Sequence, residues 1–173
     1  MSPPDPGDFG PERSRTEEGF LVGEGSFKVD RAHALKKLKL YQLPASVGGW
    51  LLWARCAAAC GAPDVELKIG NNDFSLRFAG VPFTRAELED PFAPLFVERG
   101  AGRDRGFSLA LGLLQALASS PKAVSVESGA GAERVRLTAR ALDSLAVAPA
   151  PGAEERTVLS VSWPMTSETK DRF

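Results

Sequence analysis

Residues 51–78 read LLWARCAAACGAPDVELKIGNNDFSLRF, and two periods meet there. Up to Cys60 nearly every side chain is apolar and Arg55 carries the only charge, the composition of a helix buried on most sides. Gly61 supplies the stop, since glycine readily takes the left-handed conformation that ends helices. The pattern then changes to strict alternation: Val65, Leu67 and Ile69, then Phe74, Leu76 and Phe78, joined by Gly70-Asn71-Asn72-Asp73. Period two on both sides of a Gly/Asn/Asp turn predicts a β-hairpin.

On the N-terminal side, the helix extends back to Val47, with Ser46 as its opening residue. Before it, Asp30 is placed to cap a helix whose apolar positions are Ala34, Leu35, Leu38 and Tyr41 and which Pro44 closes, and Phe27-Lys28-Val29 is short and extended. Lys36, Lys37 and Lys39 form a basic face without interleaved aromatics, read as solvated. On the C-terminal side, Thr84 with Glu87 three residues on is a capping box for a short helix that Pro91 and Pro94 limit. The stretch Arg99 to Gly106 is glycine-rich and basic, and leads into a mostly buried helix over Phe107–Ser119. Strands follow at 123–127, 134–139, 145–148 and 157–163, with a loop at Pro149 to Gly152. This order predicts an α+β fold, a two-layer α/β sandwich in which helices cover one face of a mixed, mainly antiparallel sheet.

The chain of 173 residues suits one domain, read as 26–165 between a disordered arm at 1–25 and a polar tail at 166–173. A net charge of −1 provides no global field for nucleic acid. No run of about 20 apolar residues or secretory signal is found, so a cytoplasmic protein without membrane contact is expected. Cys56 and Cys60 share a helix face, but His33 is the only histidine and no third cysteine exists. Buried free thiols are therefore expected rather than a metal site. His33 stands without a nucleophile motif and reads as an exposed structural residue, while Trp50 and Trp53 read as core.

The order and spacing of four segments resemble the ATP-binding domain of the GHKL superfamily, which joins DNA gyrase, the large heat-shock chaperones, histidine kinases and mismatch-repair ATPases on the Bergerat fold. LLWARCAAACGAPDVELKI is similar to its long helix, turn and first hairpin strand. FSLRFAGVPFTRAELED is similar to the second strand, the loop after it and a short helix, GRDRGFSLALGLLQAL to the lid end and its helix, and TVLSVSWP to the last strand. The resemblance implies a water-activating Glu, a Mg²⁺-holding Asn and a further Asp on the long helix. Leu52, Cys56 and Ala59 stand there, and no Asp, Glu or Asn occurs between Leu43 and Pro63. It also implies an adenine-reading Asp after the second strand, where Phe78 stands; Gly80 is kept, and no acid occurs between Phe74 and Thr84.

Hydrolysis of a phosphoanhydride needs a base and a cation on the phosphate oxygens, so these replacements remove catalysis. The implied role is a non-catalytic interaction or regulatory module, a pseudo-ATPase without cofactor, acting through a protein partner or self-association. The alternative is a nucleotide- or phosphate-binding protein, even a weak ATPase, with ATP or another nucleotide but no ligand set for Mg²⁺. Its candidate anion site is Gly100, Gly102, Arg103, Arg105 and Gly106, because backbone N–H groups of a glycine-rich turn at a helix start bind anions. The plainer reading of those residues is a solvated surface loop.

Overall fold

The computed structural model describes residues 30–41, 45–97 and 104–164. Within them lie four α-helices, α1 (Arg31–Tyr41), α2 (Ala45–Ala59), α3 (Arg85–Glu89) and α4 (Asp104–Ala118). Six strands form one sheet: β1 (Val65–Ile69), β2 (Asp73–Phe78), β3 (Ala123–Ser128), β4 (Val135–Ala141), β5 (Ser144–Pro149) and β6 (Thr157–Ser162). Their order is β1-β2-β6-β3-β4-β5 and every pairing is antiparallel, so the parallel component allowed for in a mixed sheet is absent among the described strands. The α+β, two-layer architecture is otherwise as the periodicities predict.

The alternation in each strand sorts its side chains onto two faces, and the register aligns those faces across the sheet. One row runs Leu67, Leu76, Leu159, Val126, Leu137, Val147, and the next runs Ile69, Phe74, Val161, Val124, Ala139, Leu145. From β2 through β4 these residues are buried. The opposite face carries a row of small polar residues, Ser75, Ser160, Ser125 and Thr138, with a hydrogen bond of 2.7 Å between the Ser125 and Ser160 hydroxyls. The sheet is thus apolar on the face that meets the helices and polar on the other.

α4 is buried along most of its length: Leu109, Ala110, Leu113, Leu114 and Leu117 are all withdrawn from water. Burying a leucine stabilises by about 1.5–3 kcal/mol, so this helix anchors the layer. α2 packs beside it through Trp53, whose ring lies 5.8 Å from that of Phe74 and occupies space that only a glycine at 112 leaves open, since a Cβ there would overlap the indole. α2 is not buried on most sides as its composition suggests. Trp50, Leu51, Arg55, Ala58 and Ala59 are exposed, because α4 and β2 cover only the side bearing Trp53, Cys56 and Cys60. Trp50 therefore departs from the core reading that Trp53 fulfils.

Local signals behave largely as read. The Asp30 carboxylate accepts from the His33 N–H at 3.1 Å, and His33 is exposed. Thr84 and Glu87 form the reciprocal capping box. Helix α2 begins at Ala45, one residue before the expected opening at Ser46, and α4 begins at Asp104 rather than Phe107. The extended reading of 27–29, the arm at 1–25, the tail at 166–173 and Gly100, Gly102 and Arg103 fall outside the described residues.

Candidate functional site

Several of the positions that the resemblance singles out lie near one corner, where the end of α2, the turn after β2, α3 and the start of α4 meet. Leu52 and Cys56 on α2, and Cys60 just past its last residue, repeat every four residues and so share a face. Leu52 is half-buried, and Cys56 and Cys60 are 0 % and 2 % exposed. Ala59 is exposed and does not join them; Cys60 is the third member of that face. Both thiols are free.

β2 brings Phe78, which is fully buried in the same core cluster. The chain then turns at Gly80, whose φ of 133° lies in the region that L side chains rarely adopt. A Cβ at this position would overlap the Cys60 carbonyl oxygen, and the next N–H, of Val81, donates to that same carbonyl at 2.9 Å. Gly80 therefore permits direct backbone contact between the β2 turn and the end of α2. Phe83 closes the turn from beneath, its N–H donating to the buried Ser128 hydroxyl at 2.8 Å.

Arg105 and Gly106 lie inside the first turn of α4 rather than in the glycine-rich stretch before it. The Arg105 guanidinium donates to the carbonyls of Val81 and Pro82 at 3.1 and 3.0 Å, pairs with Glu87, and lies 4.8 Å from the centre of the Phe83 ring. These contacts pin the 80–84 turn onto α4. Gly106 faces Pro94, where a Cβ would stand 3.0 Å from the ring. Glu87 brings a carboxylate to this corner, but it accepts from the Thr84 N–H and hydroxyl as well as from Arg105. Those interactions occupy it as a helix cap and ion-pair partner.

The thiols are electrostatically linked to this network. A hydrogen bond from Cys56 holds the Cys60 thiol below the ordinary thiol range; burial opposes the shift and the nearby Arg105 charge adds to it. The same hydrogen bond, followed by burial, pushes Cys56 upward. Reactivity requires a thiolate that a reagent can reach, and Cys60 lies beneath the turn. The arrangement is that of a packed joint with two buried free thiols.

Sequence reading singled out Cys56, Phe78 and Gly80 as altered nucleotide-site positions and Arg105 as an anion-site candidate, but missed that Cys60, Phe83 and Glu87 join them at this corner. The i, i+4, i+8 spacing of Leu52, Cys56 and Cys60 was available as a signal for the first. Nothing local tied Glu87 and Phe83 to an arginine on a helix eighteen or more residues away. Among the described residues, no group of three or more His, Cys, Asp or Glu side chains is placed to hold a metal ion, and no helix is long and apolar enough to cross a membrane. No family model matches the chain, and no curated protein matches its sequence.

Proposed function

We propose that the chain is a non-catalytic protein-interaction or regulatory module on a degenerate GHKL-type ATPase scaffold. The observation that carries this reading is the closed joint at Gly80: its turn is seated on the Cys60 carbonyl, with Cys56 and Phe78 fully buried beside it. In the ATPases that the chain resembles, the positions matched to Phe78 and Cys56 carry a carboxylate that reads adenine and an asparagine that holds the metal. Here apolar and sulfur side chains fill them. Introducing a base against Phe78 would leave its polar edge unpaired, at a cost of about 1–3 kcal/mol for each group.

The occupied donors of Arg105 further support this reading over the anion-binding alternative, because its guanidinium already serves two carbonyls and a carboxylate. A thermal-shift titration of the full chain with Mg-ATP, ADP and other nucleotides tests the proposal. The expected result is no saturable change in Tm up to millimolar concentration. A saturable rise of roughly 2 °C or more with any of them would sink the reading in favour of nucleotide binding.

A further inference from the structure

The helix-facing side of the sheet runs out of cover at β1. Val65, Leu67 and Ile69 are 44 %, 45 % and 57 % exposed, although they continue rows that are buried from β2 through β4. Among the described residues β1 is also an edge strand, so one side of its backbone has no strand partner there. The hairpin decides which residues carry those free groups. The Gly70 N–H donates to the Asp73 carbonyl at 2.8 Å, which makes them a hydrogen-bonded pair. Such pairs alternate along an antiparallel ladder, so Lys68 with Ser75 and Glu66 with Arg77 come next. Val65, Leu67 and Ile69 consequently turn their N–H and C=O groups toward the free edge.

The strand is complementary to its own reverse. Val65-Glu66-Leu67-Lys68-Ile69 reads apolar, acid, apolar, base, apolar. Two copies laid antiparallel about a two-fold axis at Leu67 oppose Glu66 to Lys68 of the second copy and Val65 to Ile69 of the second copy. Leu67 meets Leu67 of the second copy. Glu66 and Lys68 already lie 3.2 Å apart within one chain, so the second copy completes a square of alternating charge on the polar face. The same pairing places the six-strand sheets edge to edge and covers apolar side chains on the other face.

A slip of the axis to Glu66 opposes two glutamates, and a slip to Lys68 opposes two lysines. Like charges directly opposite are destabilising, so one register is selected. An edge with charges arranged to attract its own copy is unlike the charged or proline-bearing edges that prevent pairing. We infer that β1 pairs antiparallel with β1 of a second copy of this chain, joining two sheets through an isologous interface. This inference rests on the reading of the chain as an interaction module and names its partner.

Sedimentation of the purified full chain from roughly 1 to 200 µM tests it, a range suited to a small interface. The mass should rise from 18.4 kDa toward twice that value. Leu67→Pro removes an N–H that faces outward, a change edge strands tolerate, and should leave the far-UV circular dichroism unchanged while holding the mass at that of one chain. Glu66→Lys and Lys68→Glu should each raise the dissociation constant roughly tenfold, and mixing these two variants should restore association, because the charges are again opposed. The proposal is overturned if the wild-type chain stays monomeric, as it would if other residues or another protein cover β1. It is equally overturned if association survives Leu67→Pro or if the mixture fails to recover. None of these outcomes alters the nucleotide titration, so the two readings fail separately.

Discussion

β1 and β2 are the two halves of one hairpin and carry nearly the same pattern, three apolar side chains at period two, yet they have opposite fates. Leu76 is 1 % exposed and its neighbour across the ladder, Leu67, is 45 % exposed. The difference lies in what stands over each strand. β2 is flanked by β1 and β6, with α2 above it, and its end is tied to α2 through the Cys60 carbonyl. Among the described residues β1 has one strand neighbour, and its apolar side chains are left largely exposed. An apolar period therefore shows which side chains share a face, while the next layer determines whether that face is dry.

Matched substitutions on opposite strands probe this difference. The largest effect is expected at the rung joining Val65 to Phe78. Phe78→Asp places a carboxylate in a fully buried position and should cost at least about 4 kcal/mol in urea unfolding, without creating nucleotide affinity. Val65→Asp should cost less than about 1 kcal/mol in the dilute chain. Comparable losses would mean that the two strands are equally enclosed. One rung along, Leu76→Ala should destabilise by about 3 kcal/mol and Leu67→Ala by less than about 1 kcal/mol, again by urea unfolding at low protein concentration. The smallest loss among the changes on the β2 side concerns the tie that β2 has and β1 lacks. Gly80→Ala forces a side chain into a positive-φ site against the Cys60 carbonyl and should cost about 2 kcal/mol, read as a Tm fall of roughly 4–8 °C. An unchanged Tm would show that the turn moves freely off α2.

Much of the fold was legible because its signals are local. The alternation of β1 and β2, the Asp30 cap, the Thr84 and Glu87 box and the left-handed Gly61 each depend on residues within a few positions. Trp50 and Trp53 were not separable in this way. Both are aromatic and three residues apart on one helix, but only Trp53 faces the notch left by Gly112 on α4. Arg105 read as part of a glycine-rich basic stretch, whereas its partners are carbonyls at 81 and 82 and a carboxylate at 87. The candidate site was accordingly visible as positions lacking acids, but not as the joint that those positions build.

The sequence by itself determined the helices and strands, the faces of each strand and the absence of Asp, Glu and Asn from the long helix, since periodicity and residue chemistry belong to the chain before it folds. It also contained the self-complementary charges of β1. Only the tertiary structure decided that β1 lies at the edge, that β6 is inserted between β2 and β3, and that Cys60, Gly80 and Arg105 meet. Burial and ion pairing depend on which distant segments come to lie alongside one another, and local periodicity carries no record of that choice.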